Sequence, residues 1–463
     1  MNKNILTHGA KISSVTQGYY SSVATIPNST IPVTNYYCFL SKVDVWPNDQ
    51  FPPSPSFSPY SMKQIRKNIF AVKKISVNNI SPVIQRVDWT SGEVYTYYQE
   101  DLDIYQKDSS GLLVYHFYVK NKYDQVFKCL WNNNGAESTV EPYFEPGTFN
   151  DDGIFIDVDG YKWKYMYTID TGLKVNFMDS VWIPVQIKNR APDSFTVTET
   201  TLGSPAGAGN IEVINVLNGG SGYDSSNAAI FVTINGDGIG ASAIASDSDG
   251  EIYDVTVTNK GTGYTYANIS ITSDLGSGAN VYAGVSPIGG HGSDLLSELG
   301  CEHVMLIAQF NGTEGGKIST DIDFHQVGIV VDPTVKVGEP ENSAIANGTI
   351  YDCSTSLSVA LGFGDYLEDE FVYQGNSIDD FTFKANVLDF DSINNVIRVI
   401  NMTGEAVPNS PIFGQTSQTV RTVNNINPPE YVTFSGQIMF VENRTGVQRN
   451  IDGIEQFKFV LGY

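Results

Sequence analysis

The chain has 463 residues, of which 41% are hydrophobic and only 17% charged, and its 51 Asp and Glu outweigh 27 Lys and Arg to leave a net charge of −24. This balance excludes the low-hydrophobicity, high-charge signature of disorder, and it disfavours nucleic acid and anionic membrane surfaces, which bind through basic side chains. The length fits roughly three domains.

Residues 1-204 read as strands broken by turns. The opening Met1 to Ala10 lacks the apolar core of a signal peptide, and no stretch approaches the ~20 apolar residues of a bilayer span, so no membrane insertion is expected. Pro47 to Pro59 cannot donate a regular ladder of hydrogen bonds and reads as an extended arm. A helix is predicted over Met62–Phe70 and strands over Leu112–Val119 and Gln125–Trp131, the latter alternating Val126, Lys128 and Leu130 against Phe127, Cys129 and Trp131. Asn132-Asn-Asn-Gly135 supplies a turn, because Asn and Gly tolerate positive φ.

Residues 205-288 change to Gly, Ser, Asn and Asp with short apolar alternations. Asn218-Gly-Gly-Ser-Gly-Tyr223 returns as Asn259-Lys-Gly-Thr-Gly-Tyr264, each copy followed by a strand, Ile230–Ile234 and Ile269–Ile271. Gly240-Ala241 and Gly278-Ala279 then open the next apolar segment. Repeated units that cannot cover their own apolar faces stack on each other, which predicts an inserted Gly-rich β-repeat module.

Residues 289-463 form a further β region, with the possibility of packing against the N-terminal segment. A short helix is predicted from Ser293 as N-cap to Gly300 as the left-handed C-terminal residue. Strands are predicted at His303–Phe310, Gln326–Val331, Phe381–Val387, Val396–Ile400, Val432–Phe440 and Phe457–Leu461. The fold class is therefore mainly β: a multidomain, β-sandwich-like architecture with few short helices.

Chemistry is sparse. Gly312-Thr-Glu-Gly-Gly-Lys317 and Gly236-Asp-Gly-Ile-Gly240 lack the spacing of phosphate or dinucleotide loops. Tyr223 stands where a nucleophile elbow at Ser221 needs glycine, and His116, in an apolar run, reads as a structural histidine. His291, Cys301, His303 and His325 have zinc-ligand chemistry without paired zinc spacing. Asp247-Ser-Asp-Gly250 lacks the remaining ligands of a calcium loop and reads as a turn. Asp151, Asp152, Asp157 and Asp159 would suit glycoside hydrolysis only at a defined separation. Cys38, Cys129, Cys301 and Cys353 lie far apart and read as buried thiols. No catalytic residue, metal ligand or cofactor emerges. One charge feature does: Lys63, Arg66, Lys67, Lys73 and Lys74 fall in an acid-free segment, and Asp365, Glu368, Asp369 and Glu370 cluster elsewhere. The basic five are candidates for docking on an acidic surface of another subunit.

A set of segments in fixed order adds to this. Trp46 and Pro52-Pro53 precede Val83-Ile-Gln-Arg-Val-Asp-Trp89; then come Asp159-Gly-Tyr-Lys-Trp-Lys-Tyr-Met-Tyr167, Phe324-His-Gln-Val-Gly-Ile-Val-Val-Asp-Pro333, and Gly436-Gln-Ile-Met-Phe-Val-Glu-Asn-Arg444 with a closing Gln456–Leu461. Together they resemble the gene-eight baseplate wedge proteins of T-even-type contractile-tail phages. The chain departs from that pattern at His325, where an arginine is typical, and across about 205–288, which has no counterpart. The resemblance implies a mostly β, homodimeric structural protein of the virion tail. It would assemble in the host bacterial cytoplasm with other wedge subunits and act by binding rather than catalysis. The alternative is a carbohydrate-binding or glycan-degrading phage tail protein.

Overall fold

The computed structural model describes residues 10–15, 34–145, 153–186, 209–337 and 343–463. The fold is mainly β and built of multiple sheets, with short helices. It divides into two compact units: Met1–Gln17 with Ser81–Met305 and Leu461–Tyr463, and Gly18–Ile80 with Leu306–Val460. These lines differ from the linear division 1-204, 205-288, 289-463, because each unit is assembled from separated stretches of chain.

In the second unit a five-stranded sheet runs in the order Ile350–Asp352, Ile69–Lys74, Tyr36–Ser41, Asp323–Val331, Gln437–Gln448. Tyr36–Ser41 is buried at every position, as a central strand covered on both faces must be. It pairs antiparallel on both sides, Cys38 opposite Lys73 and opposite Ile329. Gly328 is required here: a Cβ would come within 2.4 Å of the Phe39 ring and 2.2 Å of the Phe440 carbonyl. The helix begins earlier than its periodicity suggested, at Pro59–Asn68, because the Ser58 hydroxyl accepts from Ser61 N; Ile69 and Phe70 belong to the next strand.

The same unit contains a closed barrel in the order Thr355–Val359, Val396–Gly404, Phe381–Asp391, Phe371–Gly375, Pro411–Gly414, Val420–Asn427. Alternate residues Phe383, Ala385 and Val387 point inward with Leu357, Val372, Val399, Ile412 and Val423. Closure removes the exposed sheet edges through which β proteins aggregate.

In the first unit, Tyr118–Lys120, Gln125–Asn132, Tyr161–Thr168 and Ile154–Ile156 form an antiparallel sheet in that order. The predicted turn after Gln125–Asn132 is present, with Asn133, Asn134 and Gly135 all at positive φ. The strand expected over Leu112–Val119 is mostly absent. The Asp108 carboxylate captures the amides of Ser110 and Leu112, curling the segment before strand geometry resumes at Tyr118. His116, expected in that strand, is exposed.

The repeat module lies within the first unit and has a core of its own. Its strands are Ile211–Asn218, Ile230–Gly236 and Ile239–Ser248 from the first copy, and Glu251–Thr262, Ala267–Ser273 and Asn280–Val285 from the second. Each strand pairs only with strands of the other copy, in one sheet ordered Ile239–Ser248, Glu251–Thr262, Ile211–Asn218, Asn280–Val285 and one pairing Ile230–Gly236 with Ala267–Ser273. The copies are thus interlocked rather than stacked side by side. The repeated motif is the clasp. Tyr223 is buried, and its hydroxyl accepts from Ala279 N at 3.3 Å; Tyr264 is buried, and its hydroxyl accepts from Ala241 N at 3.3 Å. Gly276 and Gly238 lie against the two rings, where a Cβ would approach Tyr223 and Tyr264 to 2.4 Å. Gly238→Ala or Gly276→Ala is expected to cost about 1–3 kcal/mol by overpacking. Amide hydrogen exchange across 209–286 in the intact chain should accelerate in both variants, and unchanged protection would contradict the clasp.

Candidate functional site

The five basic residues nominated by sequence all lie in the second unit, and most are engaged within it. Arg66, on the Pro59–Asn68 helix, donates to the carbonyls of Ser435 and Gly436 at 2.5 and 2.7 Å. Lys67 donates to Met402 O at 2.9 Å on a barrel strand, and Lys73 reaches Glu314 at 2.5 Å. Lys74 has a long contact, 3.4 Å, to Asn347 O, and Lys63 is exposed. Of the acidic cluster, Glu370 is buried and accepts from Leu367 N, Thr416 N, Ser417 N and Ser417 Oγ. Glu368 and Asp369 face Lys42.

Lys42 is buried and is held by Glu368, by Asp323 at 2.6 Å and by Asp369 at 3.1 Å. Burial by itself lowers its pKa, but hydrogen bonds from Asp323 and Glu368 outweigh that and raise it. Asp323, Glu368 and Asp369 form the one cluster of potential metal ligands among the described residues, and the Lys42 ammonium already sits among them.

Three of the segments that carry the resemblance converge in this unit. Strand Asp323–Val331 pairs with Gln437–Gln448, Gly328 opposite Val441. Trp46 Nε1 donates to Arg444 O at 2.8 Å, Asn443 Nδ2 donates to Pro53 O at 2.7 Å, and the His325 ring lies 6.5 Å from that of Trp46 in T-shaped contact. His325 Nε2 is 3.4 Å from Asp49, while its buried Nδ1 has no hydrogen-bond partner. These contacts fix the proline-rich arm against the sheet. Between the arm, the helix and the barrel opens a cleft of about 610 Å³.

The residues weighed for catalysis or metal binding take structural positions. Cys301 Sγ contacts the carbonyls of Val83 and His303, and the His303 ring packs 4.6 Å from Trp182. Burial pushes the Cys301 thiol up to about 12, and Cys38, Cys129 and Cys353 are likewise buried and free. Asp159 accepts from the amides of Thr139, Val140 and Tyr161. Neighbouring Asp157 is pushed up to about 7 by burial and by Asp159; Asp151 and Asp152 lie outside the described residues. Asp249 and Gly250, both at positive φ, make the two-residue turn between Ile239–Ser248 and Glu251–Thr262.

Sequence reasoning missed two features. The first is a buried ionic network in the first unit. Lys128, with no exposed side-chain surface, lies 3.1 Å from Glu298, 3.2 Å from His291 Nδ1 and 4.2 Å above the Tyr98 ring. Glu298 also accepts from Gly292 N at 2.7 Å, and Glu212 of the repeat module accepts from His291 N at 2.9 Å and from Lys260 at 2.9 Å. The network joins the Gln125–Asn132 strand, the module and the 288–300 segment. The short helix there is Leu295–Glu298, capped by Asp294 rather than by Ser293, whose hydroxyl instead donates to Ile288 O.

The second is the end of the barrel. Leu361, Phe363 and Ile393 are 89, 99 and 89% exposed. They project from a hydrogen-bonded base: buried Arg421 donates to Gly364 O at 2.5 Å and to Asn395 Oδ1 at 2.7 Å, and Val359 N donates to Asn395 O at 2.9 Å. Bulky apolar side chains grouped in solvent have the character of interface anchors. Alternating glycines in Leu361-Gly-Phe-Gly364 were the available signal.

No family model matches the chain, and no curated protein matches its sequence.

The ionic network predicts an acid response. Burial would raise the Glu298 pKa, but Lys128 and His291 hold it at about 2; burial and Lys128 push His291 below 6.5. The unfolded chain therefore takes up protons first, on His291 as pH falls below about 6.5 and on Glu298 between about 4.5 and 2, so stability falls with pH in both windows. Glu298→Gln, which leaves Lys128 buried without its partner charge, is expected to cost about 3–5 kcal/mol. It should also flatten the lower window in urea unfolding measured against pH, and an unchanged pH profile would contradict this role.

Proposed function

We propose that the chain is a structural subunit of the baseplate wedge of a contractile phage tail. It acts through protein–protein contacts in baseplate assembly and infection, as a homodimer alongside other wedge subunits. It is a virion component assembled in the bacterial cytoplasm, without catalysis, nucleic-acid binding or membrane insertion. The ordered segments resembling gene-eight wedge proteins motivate this reading, and the convergence of three of them in one unit agrees with it.

The observation that carries the contact role is the barrel end. Leu361, Phe363 and Ile393 are almost wholly exposed on a base held by Arg421. Keeping such side chains in water forgoes about 1.5–3 kcal/mol each relative to burial, a cost that a partner surface removes. The acidic net charge disfavours the nucleic-acid and anionic-membrane alternatives. The rival reading, a carbohydrate-binding or glycan-degrading tail protein, is favoured by one observation, the cleft of the second unit.

The paired substitution Leu361→Ser with Phe363→Ser removes two of the three anchors while touching no core. Its thermal unfolding should match that of the unsubstituted chain. Its incorporation into purified wedge intermediates at limiting concentration should drop by roughly thirtyfold, the loss of about 2 kcal/mol at a hot spot. Undiminished incorporation would contradict the contact role of this surface.

A further inference from the structure

The cleft of the second unit has a lining with a marked chemical bias. Of its wall residues, Gln64 and Asn68 come from the Pro59–Asn68 helix, Asn386 and Asn401 from barrel strands, and Gln326 and Asn443 from the five-stranded sheet. A carboxamide carries both donors and an acceptor; Gln326 and Asn443 are engaged by Ser41, by each other and by Pro53 O, which leaves Gln64, Asn68, Asn386 and Asn401 to meet a ligand. Part of the array is braced: Gln326 Nε2 donates to Asn443 Oδ1 at 2.7 Å, and Asn401 Nδ2 donates to Asn386 Oδ1 at 3.0 Å. Trp46 and Tyr60 supply aromatic surface, with Tyr60 72% exposed.

Charge narrows the ligand. Lys42 is the one cation lining the cleft, and Glu368, Asp323 and Asp369 already neutralise it. Asp44 and Asp369 are the lining acids. A phosphate or an acidic sugar would meet carboxylates with no free cation to offset them. Carboxamides with aromatic rings suit a ligand rich in hydroxyls and bearing apolar ring faces, since each hydroxyl both donates and accepts. The volume, about 610 Å³, lies within the roughly 300–1,000 Å³ range of sites that enclose small ligands.

We infer that this cleft binds a short, neutral oligosaccharide, held through its hydroxyls by the carboxamides and through its ring faces by Trp46 and Tyr60. Binding is measured on the purified chain and so stands or falls separately from the wedge assignment. A host surface glycan is the natural source of such a ligand for a tail protein, and that clause alone depends on the proposed function.

The test is calorimetric titration of the full chain with neutral tri- and tetrasaccharides of glucose, galactose, mannose and N-acetylhexosamines, with Asn401→Gly, Tyr60→Ala and Lys63→Ala as variants. Glycine keeps the positive φ at 401 and gives up one hydrogen bond, to Asn386, while Tyr60 is exposed, so both variants should stay folded at the titration temperature, which their thermal unfolding checks. At least one sugar should bind, Asn401→Gly and Tyr60→Ala should each weaken it by about tenfold, and Lys63→Ala, outside the lining, should leave it unchanged. Failure of every sugar to bind at millimolar concentration would overturn the inference. So would binding that both cleft variants leave intact, or capture of an extended peptide from a library with no sugar bound.

Discussion

The second unit depends on one long-range pairing, the insertion of Tyr36–Ser41 between Ile69–Lys74 and Asp323–Val331. The residues that meet, such as Phe39 and Gly328, are separated by most of the chain, so loop-closure entropy must be overcome before any contact is gained. Complete burial of the strand makes the pairing worthwhile, because six consecutive residues leave water together. Gly328 lets the Phe39 ring lie across the sheet, and Gln437–Gln448 then adds to the outer edge of Asp323–Val331. With that sheet in place, the proline-rich arm has a surface to lie on, and Trp46 and Asn443 tie it down.

Each unit holds a buried lysine among carboxylates. In a chain with 51 acidic residues, folding partners Arg66, Lys67 and Lys73 of the five basic residues nominated from sequence and leaves Lys63 exposed. Lys42, Lys67 and Lys73 are fixed within the second unit and Lys128 within the first. Buried pairs of this kind add little net stability compared with apolar packing, but removing one partner is costly. They therefore define which arrangement is allowed more than how stable it is. Apolar and aromatic side chains stand open to partners: the barrel-end residues, Phe51 and Phe57 on the arm and Tyr60 in the first turn of the helix, each at least 70% exposed.

The legible part of the fold was local. Alternation over Gln125–Trp131, the turn at Asn132–Gly135 and the duplicated Gly-rich motif each encode their structure in neighbouring residues, and each is present. Leu112–Val119 misled because a single carboxylate, Asp108, competes for its amides, and composition gives no weight to one side chain. The interlocking of the repeat copies was illegible, since strand order within a sheet is a property of pairing. Closure of the barrel, through the register of Thr355–Val359 against Val420–Asn427, was illegible for the same reason. Lys128 shares a face with Val126 and Leu130 in the alternating strand. It is buried because Glu298 and His291, far along the chain, cover it, and nothing around Lys128 announces them. The cleft, too, gathers residues from the arm, the helix, the sheet and the barrel, so no local motif marks it.

The proposed role is one of contact with other subunits of a contractile tail. Crosslinking mass spectrometry on intact tails addresses that claim most directly. It should find the chain in stoichiometric amount, with crosslinks from the acidic residues beside the barrel end, Asp365 and Asp391, to a different subunit. Absence of the chain from purified tails, or its presence with links only to itself, would contradict the account.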